Sequence, residues 1–308
     1  MAKLHLQTGC AVLLAAIALT SLPARGQDDS WKNALGSAQE ILPELREEIV
    51  TIPLHAATAQ EQAFPLTGTL FQPQGTGPFP VIVLSHGSPS RARDRDIMGR
   101  YRLIPQIKEM LRLGFAVLVP MRRGYGASPG NYAESTGSCE NGPRYDRAGS
   151  EAARDVLSAI EFVRKRPSLD HRRIVLMGQS AGGFASLATA ALNPQGVVAV
   201  INMSGGRGGN GKDGIPCAAD TMANVISGYA RTTTVPVLWL YSENDKYFGP
   251  AASRAWYNAF QSAGGKGRFV MGPPHGNDGH LLFYAQDGLP VWSAAVESFL
   301  RGFGMAAR

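Results

Sequence analysis

The sequence predicts an α/β domain with a mostly parallel central sheet and helices on both of its faces. Three observations predict it. From Pro80 onward, short apolar runs rich in β-branched residues recur: "VIVLSHG", "FAVLVPM", "RIVLMGQ", "VVAVINMSG" and "PVLWLYSEND". Strands without polar alternation are those buried on both faces, as in parallel sheets. Amphipathic helical stretches alternate with these runs, and strand–helix–strand repetition builds a parallel sheet through right-handed crossovers. Finally, 308 residues at 44% hydrophobic and 18% charged supply enough core for one large domain rather than a disordered chain.

In chain order, Lys3 and His5 precede the uncharged "CAVLLAAIAL", followed by "TSLPARGQ" with Ala24 and Gly26 placed as the small residues of a cleavage site. Residues 1–26 are read as a secretory signal peptide and 27–308 as a single domain, exported to a periplasm or secreted. The apolar run falls short of the roughly 20 residues a spanning helix needs. No later stretch is long and apolar enough, so no membrane span is expected in the mature chain. Cys10 lies before the apolar run, badly placed for lipid attachment. Cleavage after Gly26 removes Lys3 and Arg25 and takes the formal charge from +6 to +4. That basic balance brings nucleic acid into consideration, but no Lys/Arg run with interleaved aromatics is present, and no nucleic-acid partner is expected.

Residues 27–45 are polar with a weak helical pattern and read as a lead-in. "EEIVTIPLH" and "FPLTGTLFQP" alternate as two strands of an antiparallel pair at a sheet edge. After "VIVLSHG", Arg91, Arg93, Arg95, Arg100 and Arg102 crowd a segment read as a charge-rich, solvated loop. "LIPQIKEMLRLG" places Ile104, Ile107, Met110 and Leu111 on one helical face, with Gly114 as the stop. "EAARDVLSAIEFVRKRP" does the same with Ala153, Val156, Leu157, Ile160 and Val163, and Pro167 ends it. "SRAWYNAFQSAGG" and "VWSAAVESFLRGF" complete the helices. Segments 88–100, 129–148 and 205–230 read as loops that shape any pocket. Cys139 and Cys217 lie in polar, Gly/Pro-containing segments, and in an exported chain they suggest one disulfide.

The stretch "RIVLMGQSAGGFASLATAAL" carries the chemistry. In Gly178-x-Ser180-x-Gly182 the glycines permit a sharp turn from strand to helix, which lifts Ser180 above the C-terminal edge of the sheet. The backbone N–H of Ala181 then points where an oxyanion would form. A serine hydroxyl needs a base and an orienting acid, which in this architecture follow in the order Ser, acid, His. Asp245, just past "PVLWLYS", is the preferred acid, and Glu243 is the alternative. For the base, "FVMGPPHGNDGHLLF" offers His280, placed before an apolar anchor, and His275 as its rival. The earlier histidines His5, His55, His86 and His171 read as surface or structural. The second oxyanion donor is expected from the segment after "VIVLSHG", at Gly87 or Ser88; one such donor is worth roughly 2.7–4 kcal/mol in the transition state.

Taken together, "LSHGSP", "RRGYGASPG", "GQSAGG", "YSENDKYF" and "GNDGHLL" resemble the α/β-hydrolase superfamily, in particular exported bacterial relatives of dienelactone hydrolase, over roughly residues 60–302. The resemblance implies an α/β-hydrolase fold and a serine esterase that cleaves a small-molecule carboxylic ester through an acyl-enzyme. It implies a Ser180–His280–Asp245 triad and no metal or organic cofactor. Dienelactone hydrolases proper use a cysteine nucleophile where this chain has Ser180, so their substrate does not carry over. Rival readings are an amidase or peptidase of prolyl-oligopeptidase type and a non-catalytic binding protein on the same fold. Gly206 to Lys212 has the spacing of a P-loop, but Asp213 replaces the Mg²⁺-binding hydroxyl and Gly214-Ile215-Pro216 opens no helix, so nucleotide binding is not expected. A monomer or weak dimer is expected.

Overall fold

The computed structural model describes residues 40–54, 64–89 and 91–305, together with Met1 and the backbone of Leu35–Gly36. The signal-peptide reading, His5 and His55 lie outside the described residues. The strands are β1 (Leu35–Gly36), β2 (Glu48–Ile52), β3 (Leu66–Phe71), β4 (Phe79–Ser85), β5 (Arg100–Tyr101), β6 (Ala116–Pro120), β7 (Leu169–Gln179), β8 (Val197–Met203), β9 (Val237–Ser242) and β10 (Gly267–Gly272). The helices are α1 (Ala92–Asp96), α2 (Ile104–Arg112), α3 (Tyr145–Arg164), α4 (Ala181–Ala190), α5 (Ala219–Ala230), α6 (Pro250–Ser262) and α7 (Leu289–Arg301). Eight strands form one sheet in the order β10-β9-β8-β7-β4-β6-β3-β2. In this sheet β2 and β3 pair antiparallel, as does β3 with β6, and every other pairing is parallel; β1 and β5 form a separate antiparallel pair.

The apolar runs lack alternation because both faces of the sheet are covered. On β4, Val81 and Val83 join one core, with Val156 of α3, Phe184 of α4 and Trp256 of α6. Ile82 and Leu84 join the other, with Ile107 and Met110 of α2 and Trp292 and Val296 of α7. The same division repeats on β7, where Ile174 and Leu176 face the first core and Val175 and Met177 the second. Each such aliphatic side chain, fully buried, contributes about 1.5–3 kcal/mol.

The register brings the C-terminal ends of the central strands level. Ser85 pairs with Gly178, Gln179 with Met203, and Met203 with Leu240. After β4 the chain leaves to one side for β6 and returns on the other side as β7. The crevice at such a switch of direction is where open α/β sheets take ligands.

Three readings are corrected. Residues 219–230 lie in a segment read as loop but form α5: Met222, Ile226 and Ala230, each four apart, bury against the first core, and Trp256 donates its indole N–H to the Ala219 carbonyl (3.0 Å). Arg100 and Arg102 belong to no solvated loop. Both are buried in ion pairs with Glu47, at 2.6 Å and 2.7 Å. The lead-in carries, among its described residues, a two-residue strand paired with β5 and a single 3₁₀ turn at Pro43–Leu45 instead of an α-helix. No helix among the described residues is long and apolar enough to cross a membrane.

Candidate active site

β7 ends at Gln179 and α4 begins at Ala181, leaving Ser180 alone in the turn at φ 55° and ψ −123°. Such a conformation costs an L-residue on the order of 1–3 kcal/mol and persists only where its surroundings enforce it. Here the Ser180 N–H donates to the Met203 carbonyl (3.0 Å), and the Ser180 carbonyl accepts from the N–H groups of Phe184 and Gly206 (both 3.1 Å). The motif's two glycines are required by close approach. A Cβ on Gly178 would collide with the backbone of Gly182 and Gly183, and one on Gly182 with the carbonyls of Ser85 and His86. Ser180 is half-buried while every residue of α4 is buried, so the hydroxyl stands at the accessible end of a packed helix. The N–H of Ala181, in the first turn of α4, has no intrahelical acceptor, and the helix terminus favours negative charge. Gly87 and Ser88 follow β4, the neighbour of β7, with Gly87 buried and Ser88 half-buried.

Asp245 and His280 meet. The Nδ1 of His280 lies 3.1 Å from Oδ1 and 3.0 Å from Oδ2 of Asp245. The carboxylate is buried and also accepts the N–H groups of Tyr247 and Phe248 (both 2.8 Å). Burial pushes its pKa up, but His280 and those two N–H groups outweigh it, and the net shift is downward. Asp245 is therefore ionised across the neutral range, and Nδ1 carries the imidazole proton toward it. Nε2 of His280 is left as the basic nitrogen. The ring is fixed on one side by Tyr247, whose ring centroid lies 4.3 Å away, and edge-on by Phe248 at 5.3 Å. His275 points elsewhere, with its Nε2 3.6 Å from Asp287. Glu243 is exposed.

Several residues that organise this edge gave no signal as motifs. Gln179 donates from Nε2 to the His280 carbonyl (3.2 Å) and accepts from the Tyr284 hydroxyl (2.8 Å), tying the serine turn to the histidine loop. Asp278 accepts the N–H groups of His280 and Lys246 with one oxygen (both 3.0 Å), joining the histidine loop to the aspartate loop. Asn244 adds a bond from the His275 N–H (2.9 Å). These are pairings between loops about 30 to 100 residues apart, and a capping signature around Asp278 was the one local clue.

Two further segments cover the edge. Gly209 and Gly211, part of the P-loop look-alike, lie flat against Tyr247: a Cβ on either would come within 2.7 to 2.8 Å of that ring or its Cβ. The glycine spacing thus serves packing over the residue that stacks on His280, and no helix starts until α5. Cys139 and Cys217 form a disulfide that ties this segment to the one before α3, and the Cys217 N–H donates to the Gly208 carbonyl (2.9 Å). Beneath both, the buried Glu134 carboxylate pairs with Arg122 and with Arg207 and accepts from the Tyr125 hydroxyl (3.1 Å).

A family profile for X-Pro dipeptidyl-peptidase (S15 family) matches residues 65–227. The acylamino-acid-releasing enzyme of Rattus norvegicus is 33% identical over 107 residues, which are 35% of this chain and 13% of that enzyme. Among solved structures, the Pyrococcus horikoshii acylaminoacyl peptidase superposes with a TM-score of 0.60 at 18% identity, over 85% of this chain and 43% of that one. The Pyrococcus furiosus esterase Pf2001 superposes with a TM-score of 0.58 at 16% identity, over 87% of this chain and 97% of that one. The chain thus spans less than half the length of the two peptidases it resembles. At these identities the structural likenesses are likenesses of fold, and the fold is that of the α/β-hydrolases. With just over half of its residues inside the matched profile, on this fold, the chain belongs to the X-Pro dipeptidyl-peptidase (S15) family.

Proposed function

We propose that the protein is a serine hydrolase that cleaves a small-molecule carboxylic ester through an acyl-enzyme formed on Ser180. The observation that carries this reading is the buried Asp245–His280 pair, with Nδ1 facing both carboxylate oxygens, on the same sheet edge as the strained turn at Ser180. In the acylation half, Nε2 of His280 takes the Ser180 proton as Oγ attacks the ester carbonyl. The imidazolium that forms is stabilised by the ionised Asp245, which also fixes the tautomer. The oxyanion sits at the N-terminus of α4, held by the Ala181 N–H and by an N–H of Gly87 or Ser88. His280 then returns the proton to the departing alcohol. Water enters along the same path and gives a proton to Nε2 as its oxygen attacks the acyl carbon; the bond to Oγ then breaks, Nε2 returns the proton to Oγ, and the acid leaves.

A second reading is supported by family membership and by the peptidases among the relatives: the same residues cleave an amide, with His280 protonating the departing amine. The test is labelling of the folded protein with a fluorophosphonate probe, followed by peptide mass spectrometry. An adduct on Ser180, absent after unfolding, is expected; absence of an adduct on the folded protein overturns the reading. Ser180→Ala and His280→Ala are expected to lower kcat by on the order of 10⁴-fold or more, while His275→Ala changes it by no more than about twofold. Comparing p-nitrophenyl esters with acyl-aminoacyl and X-Pro anilides separates the two reactions.

A further inference from the structure

The parallel sheet has a second end, opposite Ser180. There β4 starts at Phe79 beside Leu169 of β7, and α3 finishes at Arg164. Between these elements lies an open cleft of about 480 Å³, within the roughly 300–1,000 Å³ typical of small-ligand sites. Its wall carries Arg164, Lys165, Arg166, His171 and Arg172, with Asp170 as its one acidic residue. The last turn of a helix favours cations, which accounts for Arg164 and Lys165 by local rules. It does not account for His171 and Arg172, which lie in β7 beyond the short turn that follows α3.

The ion pairs show how much of this charge is already answered. Arg164 pairs with Glu161 and donates to the Gln195 carbonyl (2.7 Å), and Arg166 pairs with Glu48. The carboxylate of Asp170 is occupied by Nε of Arg173 (2.6 Å) and by the backbone N–H of Arg172 (2.9 Å). It is thus engaged by a guanidinium outside the cleft and by a main-chain group. The side chains of Lys165 and Arg172 are exposed and pair with no acid among the described residues.

We propose that this cleft is an oxyanion-binding site that takes a phosphate group, free or carried on a small molecule, between Lys165 and Arg172, with His171 at its rim. Lys165, just past the end of α3, and Arg172, in β7, both line this concave wall and together form a clamp for a doubly charged group, and the paired Arg164 and Arg166 hold the wall in place. The site lies at the opposite end of the sheet from Ser180 and is independent of the reaction there.

Titration calorimetry at low ionic strength tests it, with inorganic phosphate, pyrophosphate and glucose 6-phosphate as probes. Saturable binding of at least one is expected, weakened at least about tenfold in Lys165→Gln/Arg172→Gln and diminished by added salt. Tighter binding of inorganic phosphate than of glucose 6-phosphate assigns the site to the free ion; the reverse order assigns it to a phosphorylated molecule. The control variant Lys108→Gln/Lys266→Gln removes the same charge from exposed positions elsewhere and is expected to bind like the wild type. No saturable binding of any probe, or equal weakening in the control, overturns the proposal. Fluorophosphonate labelling of Ser180 serves as the check that each variant is folded, and its rate is expected to be unchanged.

Discussion

His86 is fully buried one residue from the proposed oxyanion donors, and its hydrogen bonds leave it no role as a base. Its Nε2 accepts the Arg122 N–H (3.1 Å), so the ring proton sits on Nδ1 and faces the Gly87 carbonyl (2.7 Å). Burial, and next the Arg122 guanidinium, hold its pKa down at about 3. A pKa lower in the folded state than the ordinary 6.5 means that the unfolded chain takes the proton first as pH falls. The stability this group contributes is complete above pH 6.5 and is lost as pH falls toward 3, at about 1.4 kcal/mol per pH unit. Asp155 works in the opposite sense, because burial, only partly offset by the Arg123 guanidinium, holds it up at about 6. The quantity to measure is therefore the difference between wild type and His86→Asn. Urea unfolding between pH 7 and 5 is expected to show the variant less stable at pH 7 and the gap narrowing by on the order of 1 kcal/mol per unit of acidification. A constant gap would mean that His86 is not neutral in the folded protein.

At the scale of elements, β2, β3, β4, β6, β7, β8, β9 and four of the helices were legible because each carries its own period: alternation for the antiparallel pair, unbroken apolar runs for strands covered on both faces, spacings of three and four for helices covered on one; β1, β5 and α1 are too short to carry any. α5 was not, because "ADTMANVISGYA" buries only Met222, Ile226 and Ala230 and carries Ser227 and Gly228 near its end. Ser180, Asp245 and His280, the residues of the proposed triad, could be put forward from the sequence because a turn motif and the order of strand ends single them out. Gln179, Asp278 and the glycine packing on Tyr247 depend on which loops meet, and no local pattern records that. The covering segment yields its own prediction. The disulfide holds Cys217, whose N–H holds Gly208, and the glycines that follow press on Tyr247 against His280. Reduction, or Cys139→Ser/Cys217→Ser, is expected to lower stability by about 2–5 kcal/mol. It is also expected to slow fluorophosphonate labelling of Ser180 several-fold at temperatures where the fold persists. Labelling at the original rate after complete reduction, verified by thiol alkylation, would show that the covering segment does not position His280.

At the scale of the molecule, charge pairs join distant parts of the chain, and burial decides which of them matter. Arg112 bridges Glu109 and Glu297 between α2 and α7, at 2.8 and 3.1 Å, but its side chain is 56% exposed. Exposed pairs of that kind are worth about 0–1 kcal/mol. Glu134 is the opposite case. It lies in the segment between β6 and α3 and is shared by Arg122 at the end of β6 and Arg207 beyond β8, so it links loops on both sides of the Ser180 strand. Burial pushes its carboxyl up, but the two guanidinium groups outweigh that and hold it down at about 2. Its contribution is therefore complete above pH 4.5 and is lost as pH falls toward 2. Removing the carboxylate strands two buried cations, and breaking a buried pair from one side costs about 3–5 kcal/mol. For a domain of this size that lowers Tm by roughly 10 °C. Glu134→Gln is expected to show that loss in thermal unfolding at pH 7, and Glu297→Gln to stay within about 1 kcal/mol of wild type. Adding Arg207→Met to Glu134→Gln removes one of the stranded cations, so the double variant is expected to lose less than the sum of its singles. A strictly additive double variant would show that Glu134 and Arg207 act independently and that the link across the central strands lies elsewhere.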